Sequence, residues 1–388
     1  MQAPIPHLAL PFFDEAHRDL ARRLSAWAPL QAVDEQDDRA ACREWVRRLG
    51  ADGWLRYCVP AAHGGALERL DSRALVILRE TLAFQSPLAD FAFAMQGLGS
   101  GAITLAGSPQ QQSTYLTRVA SGEMIAAFAL SEANAGSDAG AMTTSAVQDG
   151  NAWLLNGEKT WISNGGMASF YCVFAKTDLQ AGTRGITAFI VDADAQGLDA
   201  SEQIEVMSPH PLATLKFNNC RVPASEQLGV LNGGFKLAMQ TLDIFRASVA
   251  GAALGMARRA LAEAVAHAKK RRMFGQTLAD FQLTQARLGE MAALVDAAAL
   301  LTYRAAWLRD DGEKRGGVRV TAEAAMAKMA ATENAQRVID MALQMHGGLG
   351  VKVGTRVERL YRDIRSLRIY EGATEVQQLI IGKSVLQE

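Results

Sequence analysis

Apolar positions along the chain change their period twice. From residue 14 to about 122 they recur three and four apart, the helical spacing. The segment Asp71–Phe84 (DSRALVILRETLAF) carries this pattern, and so does Gln110–Val119, where Pro109 suits a first helical position. Gly64-Gly65 and the stretch from Gly97 to Gly101 mark loops or points of close contact. Between 123 and 232 the period shortens. Trp153-Leu154-Leu155 runs into Asn156-Gly157, a tight-turn dipeptide, so Thr160-Trp161-Ile162 is expected as the returning strand. Phe170–Lys176, Ile186–Val191 and Thr214–Phe217 are short β-branched and aromatic runs separated by turn residues. They predict a small antiparallel β-domain, a barrel or a sandwich. From 233 the helical period returns over longer stretches. These are a proline-free run from Phe235 to about Arg272, then Asp280–Arg309, Thr321–Met345 and Thr374–Leu386. Their alanine-rich composition with recurring Leu and Met suits closely packed antiparallel helices. The expectation is a mainly α chain with a central β-domain: 1–122 N-terminal helical, 123–232 β, and 233–388 a C-terminal helical bundle.

Composition narrows the classes. The chain has 388 residues, 40 Lys plus Arg against 41 Asp plus Glu, and a net charge of -1. That balance argues against a protein that coats nucleic acid or membranes. The basic clusters Arg258-Arg259, Lys269–Arg272 and Arg356–Arg368 are interspersed with acids. Cys42, Cys58, Cys172 and Cys220 form no C-x-x-C pair, which suits buried thiols in a reducing compartment, and no metal site is expected. No uninterrupted run of about 18 apolar residues and no signal-peptide pattern is read, so a cytoplasmic protein without a membrane span is expected.

Candidate chemistry begins at Ala129–Ala141 (ALSEANAGSDAGA), where the helical zone meets the β-zone. Hydroxyls at Ser131 and Ser137 and free N–H groups around Gly136 could grip a phosphate or a polar ring edge; a polar linker with a turn has the same composition. With its neighbours, this segment resembles the first signature of the FAD-dependent acyl-CoA dehydrogenase family. Leu360–Gln377 (LYRDIRSLRIYEGATEVQ) resembles the C-terminal signature. Between them TWISNGG (Thr160–Gly166), RRMFGQ (Arg271–Gln276) and QMHGGLG (Gln344–Gly350) occur in family order. The resemblance covers nearly the whole chain. It implies an α–β–α fold ending in a four-helix bundle, an oxidoreductase of fatty acid metabolism, one FAD per subunit, and a homotetramer or homodimer.

The implied reaction is α,β-desaturation of an acyl-CoA to a trans-2-enoyl-CoA, with electrons passing to an electron-transfer flavoprotein. By resemblance Glu371 is the base at Cα and the flavin accepts hydride from Cβ. A carboxylate suits that task when burial raises its pKa, which a following helix N-terminus would oppose. Some relatives carry the base on the bundle helix before an arginine; Phe245 stands there. A helix N-terminal acid is the bland alternative for Glu371. The resemblance further implies that Phe128, Leu130, Ser131, Gly136, Ser137, Trp161 and Ser163 meet the flavin, with a β-core aromatic as the alternative for Trp161. Arg271 meets the pyrophosphate, with Phe274 and Gln282 nearby, and Gln344, Gly347 and Gly348 approach the adenosine half. For Lys269 and Lys270 a solvated basic helix end is retained.

Ser137, Asp243, Arg246 and Gly372 match positions near the thioester and pantetheine, though Asp243 and Arg246, three apart on one helix, could equally form a surface ion pair. Ala373 replaces a family threonine before Thr374 and Glu375, which also match cofactor positions. The loop Val206–Thr214 (VMSPHPLAT) lacks the Gly-x-Arg common among relatives. That departure keeps a carrier-protein-bound acyl substrate in view. A flavin oxidase or monooxygenase is a further alternative, and a DNA-binding flavoprotein a remote one.

Overall fold

The computed structural model describes residues 1–314 and 320–387. An N-terminal helical domain leads. It holds α1 (Glu15–Trp27), α2 (Asp38–Ala51), α3 (Ser72–Gln85), α4 (Pro87–Ala106) and α5 (Pro109–Ala120). The start of α5 is set by its sequence: Pro109 follows the cap Ser108, whose hydroxyl accepts from Gln111 N while the Gln111 amide oxygen accepts from Ser108 N. The glycines from 97 to 101 lie inside α4 as points of close contact. A Cβ at Gly97 would stand 2.6 Å from the Phe245 ring, and one at Gly99 2.7 Å from the backbone of Ala126.

The β-domain holds β1 (Ala126–Ala129), β2 (Ser145–Asp149), β3 (Ala152–Ser163), β4 (Phe170–Lys176), β5 (Ile186–Asp192), β6 (Leu198–Ile204), β7 (Leu212–Pro223) and β8 (Gln227–Leu228). They form one sheet in the order β6-β7-β3-β2-β4-β5-β8, with β1 beside β4. Its core is built by Leu155, Ile162, Tyr171, Val173, Phe189, Val191, Leu215 and Phe217.

Two sequence expectations need correction here. The sheet is mixed rather than antiparallel: β1 pairs with β4 in parallel, and so does β2 at Ser145–Lys176. The β2–β3 hairpin intervenes between β1 and β4, and so long a connection does not force antiparallel pairing. Asn156-Gly157 is not a hairpin turn either. β3 runs through it, with a register shift against β7 between Leu155 and Gly157, so the glycine is part of a bulge. Gly157 has φ +136°, and a Cβ there would lie 2.7 Å from Thr144 Cα, so only glycine fits. The actual tight turn is Gly150-Asn151, which joins Asp149 to Ala152 in the β2–β3 pairing.

The C-terminal domain is helix-rich: α6 (Gly234–Lys270), the two-strand ribbon β9 (Arg272–Met273) and β10 (Gln276–Thr277), then α7 (Gln282–Lys314), α8 (Thr321–His346), α9 (Arg356–Leu367) and α10 (Thr374–Val385). α8 packs against α7, α9 and α10. The expectation of no membrane span needs qualification: the stretch Gln282–Gly312 of α7 is long and apolar enough to cross a membrane by length and composition alone, although charged residues interrupt its apolar run. All four cysteines are buried. The chain gathers into two compact units, one of 1–32, 72–90 and 246–388, the other of 33–71 and 91–245.

Candidate active site

In the first unit the candidate base sits on a strained turn. Helix α10 starts at Thr374 with Ala373 as a cap that offers no side-chain acceptor, and Glu375 is the acid of its first turn. Glu371 lies outside the helix, at φ +51°, followed by Gly372 at φ +92°. A left-handed conformation is free for glycine but costs a glutamate about 1–2 kcal/mol. The residue is partly exposed, yet its carboxyl Oε2 is buried and makes no hydrogen bond among the described residues. Burial raises its pKa. The cations Arg79, Lys328 and Arg246 oppose the rise, and Asp90 adds to it. The net effect is upward, so burial outweighs the cations.

Those charged neighbours are themselves fixed. Arg79 on α3 makes a two-point contact with Asp90 on α4, Nε to Oδ1 at 2.8 Å and Nη2 to Oδ2 at 2.9 Å, and its Nη1 donates to Ser248 Oγ at 3.1 Å. Lys328 of α8 donates to the Gly372 carbonyl at 2.8 Å. The segment behind the turn is pinned as well. Glu333 Oε1 accepts from Arg368 Nε at 2.8 Å and from the Thr374 hydroxyl at 2.6 Å. Ala373 offers no hydroxyl, and that of Thr374 is engaged by Glu333.

In the second unit the Leu130–Ser137 segment is held from below. Lys159, wholly buried on β3, donates to Leu130 O at 3.0 Å and to Glu132 Oε1 at 2.8 Å. Glu132 also accepts from Thr143 N at 2.6 Å and Thr144 N at 3.0 Å. Burial alone would raise the Glu132 pKa, but Lys159 and the threonine donors outweigh it and hold the carboxyl at about 2. The segment is therefore an anchored loop. Leu130 is buried, Ser131 half-buried, and Gly136 and Ser137 exposed; the Phe128 ring packs on Phe174 with centroids 4.9 Å apart.

Trp161 departs from the β-core alternative. It has φ +61° and is 57% exposed, in the interval of a second register shift between Lys159 and Ile162. The bulge carries its ring out of the core. Two residues on, Ser163 Oγ lies 3.1 Å from His210 Nε2. His210 packs on Phe91, and burial pushes its pKa down to about 3, so the ring is neutral. It stands in the Val206–Thr214 stretch, which is not a loop throughout as expected: its last three residues, from Leu212, already belong to β7.

The nucleotide candidates lie on the first unit. Lys269 and Lys270 end α6 exposed to solvent. Arg271 follows, also exposed, and Phe274 sits at φ +51° on the tip of the ribbon, 86% exposed. Gln282 starts α7 and Gln344 stands in the last turn of α8, both exposed; Gly347 and Gly348 follow α8. Among the substrate candidates, Asp243 and Arg246 are on α6. Arg246 is only 6% exposed, so a surface ion pair does not describe it. The structure brings Arg246, Glu371 and Gly372 together in one unit, whereas Ser137 and Asp243 belong to the other.

Several features escaped the sequence, Lys159 of β3 among them. Lys328 offered one signal, a single cation among Ala324, Ala325, Ala327 and Ala331 on a helix. His210 stood in the 206–214 stretch, singled out only for lacking a Gly-x-Arg. The Arg79–Asp90 pair, eleven residues apart on two helices, had none.

Comparison with known proteins now decides the family. The acyl-CoA dehydrogenase N-terminal, middle and C-terminal domain models match residues 13–123, 127–220 and 232–386. A 3-(aryl)acrylate reductase of Clostridium sporogenes is 39% identical over 97% of this chain and 100% of its own length. The chain belongs to the acyl-CoA dehydrogenase family. The caffeyl-CoA reductase-Etf complex subunit CarC of Acetobacterium woodii is 37% identical over 96% of each chain. The butyryl-CoA dehydrogenase structure from Megasphaera elsdenii superposes with a TM-score of 0.90, at 31% identity, over 96% of this chain and 99% of that one.

As a family member the protein binds FAD and carries out FAD-dependent redox chemistry on an acyl-CoA thioester. The residues present fit that cofactor. Trp161 holds a flat aromatic face outside the core on a strained backbone. Gly136, Gly347 and Gly348 have open space where a Cβ would stand, as close approach to a nucleotide requires.

Proposed function

We propose that this protein interconverts a saturated acyl-CoA and its trans-2-enoyl-CoA, with Glu371 exchanging the proton at Cα. The buried carboxyl of Glu371 carries this reading, because its Oε2 is unengaged and its pKa is raised. A base with one free oxygen can accept a proton without first breaking a hydrogen bond, and a raised pKa brings its strength nearer to working pH. Bound FAD supplies the hydride acceptor for Cβ. The turn that aims the carboxyl also carries the Glu371 backbone N–H, which this reading assigns as an oxyanion donor to the thioester carbonyl. Arg246 and Gly372 lie beside the base and are the substrate contacts this unit offers. Ser137 and Asp243 are the candidates on the other unit.

Cofactor contacts are assigned by the same reading. Leu130, Ser131, Trp161 and Ser163 hold the isoalloxazine, with Phe128, Gly136 and Ser137 beside them. Arg271, Phe274, Gln282, Gln344, Gly347 and Gly348 are assigned to the nucleotide, and Ala373, Thr374 and Glu375 are further cofactor candidates on the first unit. The exposure of Phe274 and Leu283 suits a homodimer or homotetramer in which a neighbour covers them. Trp161→Leu should weaken FAD binding about 10-fold, as loss of one aromatic stack does. Absorbance titration of stripped protein with FAD measures it, and unchanged affinity would remove Trp161 from the ring contact.

The net direction depends on the electron partner, for which we propose an electron-transfer flavoprotein; the name of the Acetobacterium relative includes one. Reduction of 2-enoyl thioesters is the second reading, favoured by the full-length likeness to a 3-(aryl)acrylate reductase. Anaerobic flavin bleaching with aliphatic and 3-arylpropanoyl thioesters, on CoA and on a carrier protein, tests the chemistry. Bleaching by one class and its reversal by the matching enoyl thioester is the expected result. A flavin that no acyl thioester reduces would overturn the reading.

A further inference from the structure

Lys328 has no place in any motif, yet it is one of the most buried charges in the protein, with 0% of its surface exposed. A lysine in mid-helix normally snorkels to water. This one turns inward and donates from Nζ to the Gly372 carbonyl at 2.8 Å. The same oxygen accepts a second hydrogen bond from Gln377 Nε2 at 2.9 Å. That carbonyl closes the two-residue left-handed turn, φ +51° at Glu371 and φ +92° at Gly372. A glutamate holds such a conformation only when its surroundings fix it. Space at the turn is also restricted: a Cβ on Gly372 would lie 2.4 Å from Gln377 Nε2.

We propose that Lys328 is a positioning residue for proton transfer: with Gln377 it clamps the Gly372 carbonyl, fixing where the Glu371 carboxyl stands, and its ammonium is one of the positive charges beside which that carboxyl ionises. This rests on Glu371 being the base. The two donors divide the work, since Gln377 supplies a hydrogen bond alone while Lys328 supplies a hydrogen bond and a charge. Burial lowers the pKa of Lys328 to about 8, with Glu371 opposing the fall, so the ammonium is charged at neutral pH. The groups facing Lys328 are Glu371, Arg246, Glu333 and Arg368; those facing Glu371 are Arg79, Lys328, Arg246 and Asp90. Arg79 is occupied by Asp90 and Glu333 by Arg368 and Thr374. Lys328 is the cation hydrogen-bonded to the turn itself.

Three variants of the FAD-loaded enzyme test the division. Lys328→Met should keep FAD stoichiometry and lower kcat by about 10- to 100-fold, the scale of a misplaced catalytic group. It should also move the acid limb of the kcat–pH profile to higher pH, because a carboxyl without that cation holds its proton more tightly. Lys328→Gln, a neutral donor, should recover part of kcat with the limb still displaced. Gln377→Leu should lower kcat and leave the limb unmoved. The Glu371 carboxyl is followed independently by its C=O infrared band, identified by its absence in Glu371→Gln and titrated without substrate. An unmoved band and limb in either Lys328→Met or Lys328→Gln would overturn the proposal. Should Lys328→Met not fold, Lys328→Gln decides alone. Full turnover in Glu371→Gln would instead remove the base assignment, a separate failure.

Discussion

Glu371→Gln is expected to bind FAD normally, stay folded, and lose turnover about 100-fold or more, the scale of a missing general base. The change is nearly isosteric, so the left-handed turn and its clamp should persist. What disappears is the proposed proton acceptor. Stopped-flow bleaching with the best thioester measures the effect directly, since the reductive step contains the proton abstraction. In the wild type that rate should rise with pH along a limb set above the ordinary carboxylate range, because burial raises the Glu371 pKa and the deprotonated form is active. In the variant the limb should vanish. Bleaching within a few-fold of wild type would place the base elsewhere.

Asp90→Ala should be the most destabilising single change in the neighbourhood, by about 3–5 kcal/mol. Both side chains of the Arg79–Asp90 pair are buried, and removing the carboxylate leaves a guanidinium that can neither reach water nor lose its charge. Replacing both, as Arg79→Met with Asp90→Leu, should restore most of the loss, since a buried pair gains little over apolar packing. Urea unfolding midpoints check both. A loss below about 1 kcal/mol for Asp90→Ala would mean that water enters the site. The single variant carries a second signature. With Asp90 gone, the uncompensated Arg79 charge favours ionised Glu371, so the acid limb should move to lower pH, opposite to Lys328→Met.

The helices were legible because their cause is local. A 3.6-residue period, Pro109 after Ser108 and a proline-free run after Gly234 place α5 and α6 within a residue or two. The sheet was less so. Asn156-Gly157 meets the requirement of a hairpin turn and that of a bulge equally, and only the partner strand distinguishes them. The parallel pairing of β1 is likewise a property of what lies between β1 and β4. For the candidate site, motif resemblance singles out Glu371 but says nothing of the turn that holds it, since left-handed φ at a glutamate is a tertiary effect. Trp161 has the composition of core and the placement of a surface group, because a bulge, which no local propensity announces, turns it outward. Lys328 was illegible because burial of a lysine depends on what faces it, here a carbonyl 44 residues away in the chain.

Lys159 and Glu132 keep the Leu130–Thr144 stretch in shape through protein contacts alone. The conformational freedom of that stretch is lost when the chain folds, not when a nucleotide arrives at the site proposed for it. Recharging of stripped protein then amounts to docking on a standing surface. Its heat-capacity change should reflect burial of the rings and little else, without the larger signature of a disordered segment folding as it binds.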